Sequence, residues 1–597
     1  MVHSTRRVVL QRVGLIMALP VVALVLLGWS GPVDNEPPIT VSSTIPDELN
    51  PPFIHNFGGA PNATPAQAAA FSWQEFIALN WPATKQSGMQ NQRDTPSKAC
   101  RFGDPDCTGP TVWETFRGKV EIFPGAGSPP GYSWDGPSFG YDALPQYKYQ
   151  YAVAACDPAQ ASDPVPWVNL DEIDQITLDS MYAGAAPDDG SPGNSSPHLI
   201  RFLAKGNRAE YVYVAKNSSP TDPNDQWWSS VPPDVVARTK AYLASKMASP
   251  RAGSRTMVSL PYNTIEMKAG WRLLSEDEIA SGHFHTQTVR FYENGSTTSY
   301  CYRDATWGLV ALHIIQKTPS APYFIYATFE QTDNILTKDG QPVEDVDGNV
   351  LHPSTLPATY PQECLVDPQP PPGPMDEKAS SAGSVILTSN PKNCAPLPVD
   401  RYCEEPGSRL YYHNAQGAQP VPSGGNICVN GRENLIPGYV IDANKQAHAA
   451  ISEYAQQNGI ESTPWLYYKL INVQYFPYDK VITTPTPNGS PYESSPPFTA
   501  ANPAPSSYYL ANIVVETNRS LQLFSGGLSP QPSAAVATSW NVDGTQHKNT
   551  YYGGHFYAMG GCMGCHGSQG QNRSQAAGDF SVILAVGRVL EPGFPPD

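Results

Sequence analysis

The chain has 597 residues, too many for one ordinary domain and enough to bury a sizeable core without cross-links. It contains 62 prolines, 48 glycines and 31 tyrosines but only 15% charged residues, which indicates many turns and β-rich cores and argues against helical bundles. The net charge is −17 and no basic run follows the N-terminus, so nucleic-acid binding is not expected, and a protein partner would present a positive face.

Residues 1–29 have the pattern of a signal peptide or an N-terminal anchor. Arg6, Arg7 and Arg12 lead into an almost unbroken apolar run at 13–29, and polar, proline-rich sequence follows. No clean cleavage site stands out, and an uncleaved run of this length would be at the short end of what spans a bilayer. No other segment approaches a membrane span, so we expect membrane contact only through this end. The sequence therefore predicts export to the periplasm or the extracellular space.

Composition divides the rest of the chain into five stretches. These are a proline-rich tether at 30–62, a β-rich body with helices at 63–335, a turn-rich excursion pinned by disulfides at 336–430, a second part of the body at 431–545, and a C-terminal tail at 546–597. The fold class we expect is α+β and β-rich. Its body would be a large antiparallel sheet or sandwich with a few helices, and the tail would dock on that body.

Turn residues and apolar periodicity predict the individual elements. Helices are predicted from Thr64 and Pro65 to just before Pro82, from the 232–233 proline pair to about 247, and from 442 to 457 with Gly459 as the C-cap. Predicted strands, in chain order, are 147–154, 210–215, 265–274, 286–292, 306–317, 323–329, 465–475 and 508–524, with a further apolar-alternating piece at 111–123.

Eight of the ten cysteines precede residue 430, mostly in loop-like contexts. They are Cys100, Cys107, Cys156, Cys301, Cys364, Cys394, Cys403 and Cys428. An even number of this kind fits up to four disulfides in an oxidising compartment, with buried free thiols as the alternative. Short separations favour Cys100–Cys107 and Cys394–Cys403 as local pairs.

The other two cysteines form a C-x-x-C-H motif with Cys562, Cys565 and His566. Two thiols at this spacing can add to the two vinyl groups of a haem, and the adjacent histidine then reaches the iron as its proximal ligand. A zinc site would need two further ligands nearby, and a thioredoxin-like pair would follow a strand and open a helix. The glycine-rich setting favours neither, so the motif predicts one covalently bound haem c.

The position of the motif decides how the haem can be enclosed. Only 31 residues follow His566, and they contain no His, Met, Lys, Cys or Tyr. A sixth protein ligand must therefore come from upstream, and the apolar run at 580–589 is long enough for one strand or helix on the surface of the body. The candidates for the sixth position are His547, His555, Met267 and His313, with an open site as the alternative.

Two functions follow from this choice. A six-coordinate haem suits one-electron transfer, with a redox partner protein that presents a positive face. An open distal site would suit a peroxidase or oxygenase with its substrate pocket between body and haem, and Glu266, His313 and Glu330 could form a polar site there. A third interpretation makes the body a surface-binding module with the haem as an accessory.

Two passages resemble a group of large exported bacterial monohaem proteins. One is GCMGCHG at residues 561–567; the other runs from GLVALH at 308–313 through ATFE at 327–330 to DN at 333–334. The resemblance implies a c-type cytochrome role, with Cys562 and Cys565 as thioether carriers and His566 as an axial ligand. The motif lies near the C-terminus and no methionine follows it, so the fold of small cytochromes c is not expected.

Overall fold

The fold is seen in a computed structural model. It describes residues 38–49, 63–84, 93–160, 165–172, 200–244, 255–294, 300–321, 324–334, 342, 344–351, 436–475, 531–532, 539–542, 545–548, 550–552, 555–557, 583–584 and 587–593. The N-terminal apolar run, most of the 336–430 excursion and the predicted strand at 508–524 lie outside these residues.

Six helices occur in the described part of the chain. They are α1 (Pro65–Leu79), α2 (Lys119–Ile122), α3 (Arg208–Asn217), α4 (Pro233–Ala244), α5 (Glu276–Ser281) and α6 (Gly438–Asn458). None of these helices is both long enough and apolar enough to cross a membrane.

Helix α1 begins as its sequence predicts. The Thr64 side chain accepts a hydrogen bond from the Gln67 backbone, and the Gln67 side chain accepts one from the Thr64 backbone at 2.8 Å. With Pro65 at the first helical position, this reciprocal cap satisfies donors that the helix itself leaves unpaired. The prediction of α6 is also confirmed, since Gly459 ends it in the left-handed conformation, although the helix begins at Gly438 rather than at residue 442.

Two predicted strands are wrong. Residues 210–215 lie in helix α3, where Asn207 accepts a hydrogen bond from the Glu210 backbone and so starts a helix in spite of the alternating apolar pattern. Residues 147–154 form no ladder, because the Lys148 carbonyl accepts from Gly125 and Ala126 whereas the Gln150 N–H donates to the Leu590 carbonyl. The piece at 111–123 is also irregular, with a 3₁₀ turn, a two-residue strand and the single-turn helix α2.

One eight-stranded sheet forms the body. Its strands are β1 (Arg117–Gly118), β2 (Val168–Leu170), β3 (Arg201–Gly206), β4 (Ile265–Leu273), β5 (Thr286–Asn294), β6 (Tyr300–Gln316), β7 (Ile325–Gln331) and β8 (Tyr468–Gln474). The predicted strands in 265–329 are confirmed, and the predicted strand at 465–475 begins with a 3₁₀ turn before β8.

The long strand β6 organises this sheet. Its first half pairs with β5 and its second half with β7 along one edge, while β4 pairs along the other. The order β1-β3-β4-β6-β5-β2 then brings β2 round towards β3, where Glu172 forms an antiparallel bridge to Phe202. Every pairing is antiparallel except that of β2 with β5. The body is thus mixed α/β and β-rich, with a nearly closed, barrel-like sheet instead of the sandwich that was the alternative.

Helices α1 and α6 cover the apolar side of β7 and β8. The Phe76 ring stacks on Phe329 at 4.3 Å between ring centroids, and Trp73 meets the same ring edge-on at 5.1 Å. The Trp73 indole donates a hydrogen bond to Asn444 Oδ1 at 2.8 Å, and the same oxygen accepts one from the Leu470 backbone at 3.0 Å. Asn444 therefore joins two helices and a strand at one buried point.

Two disulfides link described residues. Cys100 pairs with Cys107, as the short spacing predicts. Cys156 pairs with Cys301 and so joins an extended segment to the start of β6. The predicted Cys394–Cys403 pair lies outside the described residues.

Five short strands precede the C-terminal motif. They are β9 (Gln531–Pro532), β10 (Ser539–Val542), β11 (Thr545–Lys548), β12 (Thr550–Tyr552) and β13 (His555–Tyr557). Strands β10 and β11 form one two-stranded sheet, and β12, β13 and β9 form another in that order.

Candidate functional site

The predicted haem-binding residues Cys562, Cys565 and His566 lie outside the described residues. The chain is described on both sides of them, in strand β13 before the motif and at 583–584 and 587–593 after it. What the structure contributes to the site is therefore where the chain returns to the body after the motif, and which side chains of the body could take part.

After the motif the chain returns to the body. Ile583 and Leu584 are buried, at 5% and 3% exposure, and belong to the main hydrophobic cluster. The Val589 backbone N–H then donates to the Phe123 carbonyl at 2.9 Å, and the Leu590 carbonyl accepts from the Gln150 N–H at 2.8 Å. Within the apolar run at 580–589, Ile583 and Leu584 are thus buried.

Arg588 fixes this return. Its guanidinium donates to the carbonyls of Pro124 and Gly127, both at 3.0 Å, and to the Ser229 hydroxyl at 2.7 Å. A planar group with five donors suits such a convergence of oxygens from separate loops. The contacts tie Arg588 to two parts of the body, the loop at 124–127 and Ser229.

A compact polar cluster lies beside the last contact of the tail, where the Gly593 N–H donates to the Asp171 carbonyl at 3.1 Å. The Tyr149 hydroxyl is 2.7 Å from Asp171 Oδ2, 3.0 Å from the Tyr292 hydroxyl and 2.9 Å from Asn169 Nδ2. The Tyr292 hydroxyl donates to Asn169 Oδ1 at 2.7 Å.

The protons of this cluster can be counted. Tyr292 gives its one proton to Asn169, so the single proton of Tyr149 can satisfy either Asp171 or Tyr292 but not both. A proton on Asp171 satisfies both contacts. Burial, reinforced by the neighbouring Glu172, raises the pKa of Asp171 to about 7, against the lowering effect of its Tyr149 hydrogen bond and of Lys119. Geometry and electrostatics agree that this carboxyl holds a proton near neutral pH.

Two of the four predicted distal ligands lie inside the body. Met267 in β4 and His313 in β6 are 1% and 2% exposed, and His313 Nδ1 is 2.7 Å from the Thr328 hydroxyl. Ligation of a docked haem by either would require moving it out of the packed sheet. His547 lies in β11 and His555 in β13, and their side chains lie outside what the structure describes.

The suggested polar set of Glu266, His313 and Glu330 does share one face of the sheet. Glu266 is paired with Ile315 and Glu330 with Ala311, each two residues from His313 along β6. Alternate residues of a strand point the same way, so the three side chains project from one side. All three side chains are buried, with at most 4% of each residue exposed.

Glu210, which is fully buried in the first turn of α3, lies close enough to Glu266 for the two carboxyl groups to interact electrostatically. Burial, and then the adjacent Glu266, raise the pKa of Glu210 well above its usual value. Two negative charges on this buried pair are therefore disfavoured.

Sequence reasoning missed two histidines, His283 and His285, between α5 and β5. Gly282 ends α5 at φ +69°, a left-handed conformation that glycine adopts readily, and the chain then becomes extended. Residues two apart in an extended chain face the same side. Each imidazole stacks on an aromatic ring of the 3₁₀ turn before β8, His283 on Tyr467 at 3.8 Å and His285 on Trp465 at 4.8 Å.

His285 is held on several sides. Its Nε2 is 2.8 Å from Glu114 Oε1, and its backbone N–H donates to the Tyr468 hydroxyl at 3.0 Å. That hydroxyl donates in turn to the Leu309 carbonyl at 2.7 Å. The imidazole side chain is 12% exposed, so it belongs to the packed structure.

His283 is the more accessible of the pair, with 35% of its side chain exposed. Its Nδ1 is 3.2 Å from Asp333 Oδ2, and the Asp333 carboxylate is also within reach of the Gln331 amide at 3.4 Å. The Nδ1–carboxylate contact orients the imidazole ring. The only pattern that could have identified it is the H-x-H spacing after a glycine C-cap.

Within the part of the chain that the structure describes, no group of three His, Cys, Asp or Glu side chains is arranged to hold a metal ion. No family model, no curated protein and no solved structure matches this chain.

Proposed function

We propose that this chain is an exported c-type haem protein that acts in one-electron transfer. The observation that carries the proposal is the C-x-x-C-H motif, in which Cys562 and Cys565 would bind one haem covalently and His566 would be the proximal iron ligand. When bound, that group supplies a one-electron redox centre. The body supplies enclosure and a surface for partners.

The disulfides support export. Cys100–Cys107 and Cys156–Cys301 are pairs of a kind that persists in the periplasm or outside the cell and is rare in the cytoplasm. The basic residues and apolar run at the N-terminus point to the same compartment. Membrane contact, in this proposal, would occur only through that N-terminal run.

The haem-bearing tail, in this proposal, docks on the β-rich body. Support comes from Ile583 and Leu584, which are buried in the main hydrophobic cluster only 17 residues after His566. Haem attached just before such an anchor would lie against the body, so that earlier parts of the chain would exclude water from it. Exclusion of water and the choice of axial ligands set a haem potential.

The redox partner, in this proposal, presents a positive face. A net charge of −17 gives this chain a negative field that speeds encounter with a basic surface and weakens as salt is added. No basic run offers a nucleic-acid alternative.

The attachment of haem is tested on protein purified from the exported fraction. Intact mass should show one added porphyrin, and replacing Cys562 and Cys565 by alanine should remove it, because the thioether bonds can no longer form. A matched control replaces Cys100 and Cys107 by alanine, which removes two cysteines of the body and should leave the porphyrin in place. Wild-type protein without added mass would refute the proposal.

An electron-transfer protein and a haem enzyme differ at the sixth position of the iron, which is closed in the first and open in the second. Reduced protein that does not bind carbon monoxide, and that titrates as a single one-electron couple, is the expected result. Rapid carbon monoxide binding would instead favour the haem enzyme, a peroxidase or oxygenase.

A further inference from the structure

We propose that Arg201 binds a small organic carboxylate with an apolar body, and that the indole N–H groups of Trp271 and Trp307 are further donors to it. Arg201 is the first residue of β3, and Trp271 is its antiparallel partner in β4. Directly paired residues of an antiparallel sheet project from the same face, so these two side chains are neighbours. The site lies wholly in the body and needs no haem, and it therefore goes beyond the proposed function.

The Arg201 side chain extends from β3 to residues of β5 and β6. The central carbon of its guanidinium lies 5.0 Å from the ring centroid of Phe291 and 5.7 Å from that of Trp307. Its Nη1 donates a hydrogen bond to the Tyr292 carbonyl at 2.6 Å. Phe291 and both tryptophans belong to the main hydrophobic cluster, so the charge is surrounded by apolar rings.

Arg201 has no carboxylate partner among the residues that the structure describes. Glu293 forms its ion pair with Arg303 instead, at 2.6 Å. Only 8% of Arg201 is exposed, and burial lowers its pKa to about 10 although Glu293 opposes this shift. A guanidinium carries five N–H donors, and the single carbonyl leaves most of them without a protein acceptor in the described part of the chain. A buried charge in this state is costly unless an anion pairs with it.

Two further buried donors lie beside this guanidinium. The Nε1–H groups of Trp271 and Trp307 make no hydrogen bond to any described residue, and the two residues are 0% and 4% exposed. Buried donors in folded proteins nearly always have a partner. A cation and two indole donors at one end of β3 therefore require an acceptor that the described residues do not supply.

The chemistry of these donors favours a monocarboxylate over other anions. A guanidinium binds a carboxylate through two parallel N–H···O bonds, which fixes both its position and its orientation. One guanidinium neutralises one negative charge, and the net charge of −17 opposes the binding of a second. The rings of Phe291 and the two tryptophans offer apolar contact to the rest of the ligand.

The experiment titrates purified full-length protein with benzoate, acetate, sulfate and phosphate at constant ionic strength, by calorimetry and by thermal unfolding. Benzoate should bind the wild type and raise its melting temperature with concentration, because a ligand of the folded state stabilises that state. Arg201→Met should bind benzoate about tenfold more weakly or worse, since a charge-assisted hydrogen bond is lost. Trp307→Phe keeps a ring without the donor and should bind about twofold to tenfold more weakly.

A matched control is Arg238→Met, which removes a guanidinium from a side chain that is 49% exposed and paired with Asp234. It should bind benzoate like the wild type. Without ligand, Arg201→Met should be at least as stable as the wild type, because it removes an unpaired buried charge. An arginine with a purely structural role would instead make the ligand-free variant less stable.

Folded wild-type protein that responds to neither benzoate nor acetate would overturn the proposal. An Arg201→Met variant that binds benzoate like the wild type would overturn it as well. Tighter binding of sulfate or phosphate than of benzoate would overturn the assignment to a carboxylate. None of these results depends on bound porphyrin, which the intact mass decides separately.

Discussion

Several carboxyl groups of the body have a raised pKa because the protein withdraws them from water. Burial raises the pKa of Glu75 and of Glu210 well above the usual value, and that of Asp171 to about 7. The pKa of Glu121 shifts in the opposite direction. Burial alone would raise its pKa, but Arg93, at 2.7 Å, and Arg117 together lower it, so this pair stays charged inside the body.

The hydrogen-bonded cluster of Asp171, Tyr149, Tyr292 and Asn169 predicts that the stability of the fold depends on pH. The folded chain keeps a proton on Asp171 up to about pH 7, whereas the unfolded chain releases it near the ordinary value of 3.8. The stability that this group contributes should therefore be full below that ordinary value and decline as pH rises towards 7. The difference in unfolding free energy between the wild type and Asp171→Asn, measured by urea titration across this range, should fall with rising pH. Two parallel stability curves would contradict the assignment.

At the scale of elements, the strands that carry the sheet are nearly continuous buried runs between turn residues. Strand β6 continues for 17 residues because its apolar second half is covered by neighbours on both edges. Helix α3 shows the limit of the pattern. Its Tyr and Val residues alternate like a strand, but the Asn207 cap and the packing of the buried Tyr211 and Val214 favour a helix.

The two disulfides constrain loops of very different length, which makes a prediction. Cys156–Cys301 closes a separation of 145 residues and Cys100–Cys107 one of only 7. Chain entropy gives about 5 kcal/mol for the long loop and about 2 kcal/mol for the short one. Replacing Cys156 and Cys301 by serine should therefore lower the unfolding free energy more than replacing Cys100 and Cys107. Calorimetry or urea titration of both double variants measures the order, and equal losses would show that residual structure in the unfolded chain dominates.

At the scale of the whole molecule, the chain contacts the body after the C-x-x-C-H motif. Leu584 is 3% exposed in the main cluster, whereas Leu590, six residues later, is 47% exposed. Leu584→Ala should cost about 2–5 kcal/mol of stability through lost burial and the cavity left behind. Leu590→Ala is the matched control and should change it by about 0.5 kcal/mol or less. Equal effects in urea titrations would contradict the packing of this segment into the core.

The sequence by itself predicted the features that depend on short spacings. The capped start of α1, the glycine end of α6, the four strands between 265 and 329 and the Cys100–Cys107 pair are confirmed, because each depends on residues close along the chain. The C-x-x-C-H motif is local in the same sense, and its haem stays a prediction.

Contacts between distant residues were decided only by the tertiary structure. The closure of the sheet from β2 to β3, the Cys156–Cys301 pair and the stacking of His283 on Tyr467 join residues that the sequence separates by about 30 to 180 positions. No local pattern encodes such a contact, since it forms when buried area and hydrogen bonds across the whole body outweigh the entropy of closing a long loop. Local spacing therefore determined the helix caps, the central strands and the short disulfide, and only the packed body decided which distant side chains meet.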